Sequence, residues 1–182
     1  MKNNFKKIFI TGGAGFIGSH VSEVFFENFR NSKIIILDKL TYAGNKAFLS
    51  SIIDSKRVRF VKGDIANTKK YTSYLKNCDL AINIAAESHV DNSFVSPLNF
   101  TKTNTLGAHA FFLECIKNKV KKILHISSDE VYGEKTTGTS YEEQLVNPTN
   151  PYSASKAAAE ILINSYKYTY KKEIIMVRAN NI

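Results

Sequence analysis

Two adjacent carboxyl side chains, Asp129 and Glu130, follow Ser128 at the end of an apolar run. Two carboxyl groups at the end of a strand can divide the roles of general acid and general base between them. Tyr152 and Lys156 follow later in the chain, at a spacing that places both on one face of a helix. The lysine ammonium can there lower the pKa of the phenol, and the phenolate can take a proton from an alcohol. These residues therefore indicate acid–base chemistry on a hydroxyl-bearing substrate.

In the sequence, short β-branched runs alternate with longer segments of helical character, and these elements must position the residues above. This alternation is typical of βαβ units, and a chain of 182 residues suits one hydrophobic core. We therefore expect residues 1–182 to form one α/β domain, a Rossmann-like doubly wound parallel sheet with helices on both faces. Ligands would bind at the carboxyl ends of its strands. The predicted strands are 7–11, 33–38, 57–62, 80–85, 122–127 and 173–178, and the predicted helices are 15–29, 67–75, 97–117 and 151–168.

A glycine-rich turn follows the first predicted strand and opens the first predicted helix. Gly13, Gly15 and Gly18 fit the pattern G-x-G-x-x-G, in which glycine lets the backbone approach a pyrophosphate closely. Asp38 ends the second predicted strand, where a carboxylate can accept hydrogen bonds from ribose hydroxyls and repel a 2′-phosphate. The pattern predicts NAD rather than NADP, although the neighbouring Lys39 could weaken that preference. The alternative role for Asp38 is that of a strand-end cap or turn residue.

Further polar and small residues follow the third and fourth predicted strands. Asp64 could reach the edge of an adenine, and the alternative is that it belongs to a simple turn. The small residues at 85–86 would let a cofactor lie against the backbone, with Ser88 facing the ligands. His89 and Asp91 lack a recognised metal-ligand spacing, and we read His89 as a structural hydrogen-bonding residue rather than part of a metal site or a catalytic dyad.

The charge of the chain is strongly basic, with a formal net charge of +9 at pH 7. Most of the positive charge comes from lysines spread along the whole sequence, without an Arg-rich cluster interleaved with aromatic residues. We therefore expect no nucleic acid as partner, and we interpret the lysines as solvated side chains that also attract phosphate-bearing ligands.

The two cysteines and the apolar runs indicate a cytoplasmic location. Cys78 and Cys115 lie in apolar surroundings without a CxxC spacing, as reduced core residues do. The short apolar run at 8–10 resembles neither a signal peptide nor a membrane span, and no later run reaches the length needed to cross a bilayer. We expect a protein without membrane contact.

Taken together, these motifs resemble the extended short-chain dehydrogenase/reductases, and among them most closely the dTDP-glucose 4,6-dehydratases. The glycine turn and the Tyr-x-x-x-Lys pair are shared by the whole superfamily. The Asp-Glu pair and the segment after the second strand point to the dehydratase branch. The matching segments are 11–18, 38–45, 85–91, 127–133 and 151–156.

The resemblance implies a three-step reaction on a nucleotide sugar, most simply dTDP-glucose, with NAD transiently reduced. Tyr152 would deprotonate the sugar 4-hydroxyl as hydride passes to NAD+, and Ser128 would hydrogen-bond the same oxygen. Glu130 would then remove the proton at carbon 5 while Asp129 protonates the departing 6-hydroxyl. The hydride would return to carbon 6, giving dTDP-4-keto-6-deoxyglucose. The family usually carries Thr at the position of Ser128, which keeps the hydroxyl.

The resemblance also implies the residues of each subsite. The expected catalytic residues are Ser128, Asp129, Glu130, Tyr152 and Lys156, with no metal. The expected cofactor residues are Gly12, Gly15, Phe16, Ile17, Gly18, Asp38, Lys39, Leu40, Thr41, Gly44, Asp64, Ile65, Ala85, Ala86, Ser88, Thr103, Tyr152 and Lys156. The expected substrate residues are Ser88, Ser128 and Asn181.

The family further implies a carboxyl-terminal substrate domain, which we expect to be absent from these 182 residues. It also implies a homodimer formed through the helices 97–117 and 151–168. Two alternatives stay open. One is a related NAD-dependent sugar-nucleotide epimerase or decarboxylase, against which the acid pair argues, and the other is an NAD-binding domain without catalysis.

Overall fold

Six parallel β-strands form a single sheet at the centre of the protein. The computed structural model describes residues 5–135 and 137–180. The strands lie in the order β3-β2-β1-β4-β5-β6, and each neighbouring pair is parallel. The predicted Rossmann-like doubly wound sheet is confirmed. The strands are β1 (Lys7–Thr11), β2 (Lys33–Asp38), β3 (Val58–Lys62), β4 (Leu80–Asn83), β5 (Lys122–Ser128) and β6 (Glu173–Ala179).

Both faces of the sheet are covered, which explains the continuous apolar runs in the sequence. Along β2, Ile34 and Ile36 point into one hydrophobic cluster, whereas Ile35 and Leu37 point into another on the opposite face. All four side chains are buried because successive residues of a strand face opposite sides. Cys78 and Cys115 are free thiols and are buried with the second of these clusters, as expected for core residues.

Helices pack on the two faces of the sheet between the strands. The helices are α1 (Phe16–Asn28), α2 (Thr72–Leu75), α3 (Val90–Val95), α4 (Pro97–Phe100), α5 (Ala108–Lys117) and α6 (Pro151–Tyr170), and a π-helical turn (Thr101–Gly107) joins α4 to α5. Three short 3₁₀ turns occupy Lys46–Leu49, Thr68–Lys70 and Asp129–Tyr132. Across the two described ranges, no helix has both the length and the apolar character that a bilayer crossing requires.

Two predicted elements differ clearly from the sequence pattern, whereas the helix 15–29 and the strand 57–62 are shorter only by a single residue at one or both ends. The predicted helix 67–75 is broken into a 3₁₀ turn and the short α2, because Tyr71 between them is buried and its hydroxyl donates to the carbonyl of Ile65 at 2.8 Å. The predicted strand 80–85 ends at Asn83. Beyond it, the N–H of Ile84 is shared between the Thr11 carbonyl at 3.3 Å and Thr11 Oγ1 at 3.2 Å, and the N–H of Ala85 donates to Thr11 Oγ1 at 3.2 Å.

Candidate active site

A cavity of about 390 Å³ opens at the carboxyl edge of the sheet, between the glycine turn and the start of α6. Residues from the ends of β1, β2, β4 and β5 line it, as expected for ligand sites in doubly wound folds. Nearly all the predicted cofactor residues therefore come together. Those that line the cavity are Gly12, Gly15, Phe16, Ile17, Gly18, Asp38, Lys39, Thr41, Gly44, Asp64, Ile65, Ala85, Ala86, Ser88, Thr103, Tyr152 and Lys156.

The glycine turn has no room for side chains at two of its positions. Gly12 has φ +67°, and a Cβ there would lie 2.6 Å from the backbone nitrogen of Ala85. A Cβ on Gly18 would lie 2.0 Å from the carbonyl oxygen of Gly12. The first turn of α1 consequently packs against the end of β1, and Phe16 and Ile17 of that turn line the cavity. Because first-turn N–H groups have no partner within their helix, this end of the cavity favours an anion.

Asp38 lines the cavity and also hydrogen-bonds two of the loops around it. The carboxylate accepts the N–H of Ala14 at 2.9 Å and the N–H of Leu40 at 2.8 Å, one on each oxygen. Asp38 therefore has the strand-end role considered as an alternative, and it also lines the cavity.

Leu40 departs from the expectation for a cofactor residue, because its side chain packs against the apolar cluster beneath β2 and does not line the cavity. Leu40 has φ +58°.

Asp64 and Lys39 form an ion pair on the cavity wall. Lys39 Nζ lies 2.9 Å from Asp64 Oδ2, and Asp64 Oδ1 accepts the N–H of Ala66 at 2.9 Å. Burial tends to raise the pKa of Asp64, but the hydrogen bonds from Lys39 and Ala66 outweigh it and hold that pKa below its usual value. Asp64 therefore stabilises a turn, as the alternative stated. It also forms an ion pair with Lys39, for which the sequence predicted no partner.

A buried hydrogen-bond chain supports the floor of the cavity. Thr11 Oγ1 accepts the N–H of Ala85 and donates to Asn83 Oδ1 at 2.6 Å, and Asn83 Nδ2 lies 3.0 Å from His125 Nδ1. Burial, followed by the charge of Lys156, lowers the pKa of His125 well below its ordinary value, so the imidazole is neutral. This chain joins β1, β4 and β5 under the site. No local pattern in the sequence indicates this hydrogen-bond chain, because its members are far apart in the sequence.

The π-helical turn also holds the site together. Asn104 accepts the N–H of Glu87 at 2.8 Å, and its amide donates to the Glu87 carbonyl and to Ser155 Oγ, each at 2.9 Å. Thr105 Oγ1 donates to the Ser155 carbonyl at 2.9 Å. The turn thus ties the loop after β4 to the first turns of α6, while Thr103 lines the cavity between them. The only signal in the sequence is a run of polar and β-branched residues with low helix propensity.

Lys156 is almost completely buried beneath the cavity. Its Nζ donates to the carbonyl of Ile126 at 2.6 Å, and the side chain is 3% exposed. Burial lowers the pKa of Lys156 to about 8, with Glu160 acting weakly in the opposite direction. The ammonium is thus costly to keep charged in this position, as is usual for lysines that act in catalysis.

The pKa of Tyr152 is raised, contrary to the expectation that Lys156 would lower it. Burial is the main cause and the charges of Glu130 and Asp129 add to it, whereas a hydrogen bond with Ser128 acts in the opposite direction. Burial therefore outweighs the lowering by Ser128, and Lys156, whose ammonium donates to the Ile126 carbonyl, is not among the groups that shift this pKa. At neutral pH the Tyr152 phenol therefore keeps its proton.

The acid pair lies in a 3₁₀ turn directly after β5, beside Tyr152 and beyond the lining of the cavity itself. Ser128 Oγ accepts the N–H of Glu130 at 3.2 Å and lies 3.4 Å from Asp129 Oδ1. Asn150 Nδ2 donates to Glu130 Oε2 at 3.0 Å, while Asn150 Oδ1 caps α6 by accepting the N–H of Ser153 at 2.8 Å. Asn150 therefore fixes Glu130 relative to the helix that carries Tyr152. Asn before Pro is a typical helix start, but no motif in the sequence marks Asn150 as part of the site.

The remaining predicted residues have more limited outcomes. His89 is exposed and lines the cavity, its ring lies 5.6 Å from that of Tyr42, and its carbonyl accepts the N–H of Ser93 at 3.2 Å. Asn181 lies outside the described residues. Among residues 5–135 and 137–180, no three His, Cys, Asp or Glu side chains gather as they would around a metal ion.

Comparisons with known proteins find a dehydratase family model and several similar 4,6-dehydratases. A model of the GDP-mannose 4,6 dehydratase family matches residues 9–182. A dTDP-D-glucose 4,6-dehydratase of Dictyostelium discoideum is 43% identical over 190 residues, covering 97% of this chain and 44% of that protein. The crystal structure of DesIV, a dTDP-glucose 4,6-dehydratase from Streptomyces venezuelae with NAD bound, has a TM-score of 0.89 at 37% identity, covering 94% of this chain and 55% of that one.

An epimerase is similar as well. A UDP-N-acetylglucosamine 4-epimerase from Methanobrevibacter ruminantium has a TM-score of 0.87 at 29% identity, covering 95% of this chain and 54% of that one. The chain thus spans about half the length of these relatives.

Proposed function

The chain belongs to the GDP-mannose 4,6 dehydratase family, and from this premise we propose that it is the NAD-binding and acid–base part of a nucleotide-sugar 4,6-dehydratase. Its proposed substrate is dTDP-glucose and its product dTDP-4-keto-6-deoxyglucose. The observation that carries the proposal is the arrangement at the end of β5. There Glu130 is held by Asn150 at the start of α6, and Tyr152 of the same helix is within reach of Ser128.

The cavity suits NAD in its shape and in its charge. The turn at Gly12 and Gly18 leaves the first N–H groups of α1 available to a pyrophosphate, and Asp38 offers carboxylate oxygens that only accept hydrogen bonds. Lys156, one helical turn after Tyr152, supplies positive charge at the other end of the cavity. When bound, NAD+ supplies the acceptor for the hydride that leaves the alcohol carbon.

Each residue near the end of β5 has a distinct proposed task. Tyr152 takes the proton of the sugar 4-hydroxyl, for which its raised pKa must fall, and Lys156 is the positive charge beside it. Ser128 hydrogen-bonds the same oxygen. Glu130 removes the proton next to the new carbonyl, and Asp129 protonates the departing hydroxyl so that it leaves as water.

The acid pair favours dehydration over epimerisation. An epimerase needs a base at the 4-hydroxyl but no acid to expel the 6-hydroxyl, so Asp129 and Glu130 would have no task there. The structural likeness to an epimerase is a likeness of fold. The assembly is proposed to be a homodimer formed through the helical region 97–117 and α6, on which Leu98, Leu106 and Ile161 are exposed.

The test is to incubate the purified chain with NAD+ and dTDP-glucose and to follow product formation by mass spectrometry. We expect a 4-keto-6-deoxy product with the mass of water lost. Tyr152→Phe should abolish the reaction before any NADH forms. Glu130→Gln should instead allow reduced cofactor to accumulate, because oxidation proceeds and the later proton removal does not.

Glu134→Gln is the matched control, since Glu134 is an exposed carboxylate shortly after the acid pair, and it should behave as the parent protein does. Conversion of the sugar to its 4-epimer would replace the proposal with the epimerase alternative. Tight NAD binding without turnover of dTDP-glucose or UDP-glucose would instead favour the alternative of an NAD-binding domain without catalysis.

A further inference from the structure

Lys39 and Asp64 line the same cavity wall as Asp38, and each lies in the segment that follows one of two neighbouring strands. Asp38 ends β2 and Lys39 follows it, whereas Asp64 comes after the end of β3. The N–H of Gly63 donates to the Asp38 carbonyl at 2.9 Å, which holds the two strand ends together. The ion pair of 2.9 Å between Lys39 and Asp64 therefore spans two connections at the site where a ribose would meet Asp38.

Asp38 by itself discriminates against a phosphorylated ribose. Each of its oxygens accepts one backbone N–H, which leaves further lone pairs that can accept ribose hydroxyls but cannot donate to a phosphate. A phosphate dianion next to this carboxylate would be repelled. Lys39 is the residue that could reverse this preference, because an ammonium beside the ribose is a good phosphate ligand.

The ammonium of Lys39 is committed elsewhere. Asp64 holds it, and Asp64 is itself held by the N–H of Ala66. The Asp64 side chain is 24% exposed and that of Lys39 52%, so solvent screens the pair in part. The positive charge of Lys39 is thus matched by the fixed negative charge of Asp64. Lys39 therefore does not counteract the repulsion between Asp38 and a phosphate.

We propose that the Lys39–Asp64 ion pair is a specificity device, in which Asp64 keeps Lys39 from serving as a ligand for a 2′-phosphate on the adenosine ribose. The inference rests on the proposed dinucleotide site. It goes beyond that proposal because it assigns the exclusion of NADP to three residues acting together, and because it predicts that the preference can be changed without altering Asp38.

The experiment measures the affinities of the chain for NAD+ and for NADP+ by isothermal titration calorimetry. Asp64→Asn releases Lys39, so we expect the affinity for NADP+ relative to NAD+ to rise about tenfold, the worth of one charge-assisted hydrogen bond. Asp64→Ser is a second form of the same change, because its hydroxyl can still accept the N–H of Ala66. Thermal unfolding of each variant shows that it is folded.

A double-mutant cycle identifies Lys39 as the cause of the change. Lys39→Met alone should alter the affinity ratio by less than about threefold, since its ammonium is already engaged. Added to Asp64→Asn, it should remove the whole gain in NADP+ affinity. Asp54→Asn is the matched control, because Asp54 is an exposed carboxylate outside the cavity lining and its loss changes the net charge equally.

The outcomes separate this inference from the proposed function. If the parent chain binds NAD+ but both Asp64 variants keep its NADP+/NAD+ ratio, the specificity role of the pair is wrong and the nucleotide site stands. If the gain in NADP+ affinity persists in the double variant, the loss of negative charge explains it and Lys39 has no part. If the parent chain binds neither nucleotide, the proposed function itself fails.

Discussion

Lys156 has an amino group in one of the most buried positions of the site. Its pKa of about 8, against an ordinary value of 10.5, means that folding favours the neutral amine. Below pH 8 the folded protein must carry a buried ammonium, which costs stability. Such a cost is common at functional positions, where a group is retained for its chemistry and not for its contribution to folding.

Lys156→Met should therefore stabilise the fold at neutral pH while removing the proposed activity. Between pH 8 and pH 10.5 the unfolded chain binds more protons at Lys156 than the folded chain does, so this group makes stability rise with pH across that window. The advantage of the Met variant over the parent should be largest below pH 8. It should shrink by about 3 kcal/mol by pH 10.5, from the size of the shift.

Guanidinium denaturation of both proteins at several pH values measures this difference. Lys33→Met serves as the control, because Lys33 is exposed at the start of β2 and its replacement removes an ammonium from the surface and not from the interior. A Lys156→Met advantage that stays constant across the window would contradict the assigned pKa.

The residues of the site were predictable from sequence where their signal is local. Gly18 and Asp38 were identified because a fixed spacing along the chain reflects one turn and one strand. The pairing of Lys39 with Asp64 was not, since it depends on how two strand ends meet. The protonation of Tyr152 was predicted in the wrong direction, because burial and the acid pair raise its pKa and Lys156 is not among the groups that shift it.

At the scale of elements, one ion pair connects the parts that surround the acid pair. Arg178 of β6 donates to Glu160 of α6 through Nε at 3.1 and 3.2 Å and through Nη2 at 2.8 Å. Its guanidinium lies 4.6 Å from the centre of the Tyr132 ring, and its Nη1 donates to the Glu142 carbonyl at 3.1 Å. Strand, helix, 3₁₀ turn and loop are thus held by one side chain.

Glu160→Gln should destabilise the protein by about 3 kcal/mol, because it leaves a partly buried guanidinium without its counter-charge. Urea denaturation with an unchanged slope measures this loss. Glu173→Gln is the matched control, since Glu173 forms an exposed pair with Lys122 and its loss should cost less than about 1 kcal/mol. Equal losses in the two variants would mean that the Arg178 pair contributes no more than a surface pair.

The elements themselves were predictable to different degrees. Strand positions followed from β-branched runs, and α6 was predicted from residue 151 and extends two residues beyond the predicted end, to Tyr170. The helix α3 was not predicted, because its segment reads as a ligand loop. The π-helical turn could not be predicted, since Asn104 finds its partners at Glu87 and Ser155, both distant in sequence.

At the scale of the whole molecule, the family resemblance read from motifs is confirmed, and the assembly remains a proposal. Exposed apolar side chains are present on the helices predicted to form the dimer, as they are on other parts of the chain. On these helices Leu98 is 80% exposed, Ile161 62% and Leu106 56%. Exposed apolar side chains that form one patch suit an interaction surface. The sequence could suggest the two helices but not which of their side chains point outward, because that depends on the phase of each helix against the sheet.

Leu98→Glu combined with Ile161→Glu should shift the chain from dimer to monomer in analytical ultracentrifugation. Charges buried in a contact between copies would be costly, whereas in the monomer both positions face water. Val24→Glu on α1 is the control, since Val24 is 54% exposed but lies on a helix outside the proposed contact. A monomeric parent, or a dimer that the double variant leaves intact, would contradict the proposed interface.

The π-helical turn between α4 and α5 contains about one residue more than an α-helix with the same number of turns. Removing a single residue between 101 and 107 would let the segment close into continuous α-helix without changing that number of turns. The residues after it would keep nearly the same orientation about the helix axis, so Phe111 and Phe112 would stay in the core. The same deletion within α5 would instead rotate everything after it by about 100° about the axis. A one-residue deletion in the π-helical turn should therefore disturb the core far less than a one-residue deletion in α5.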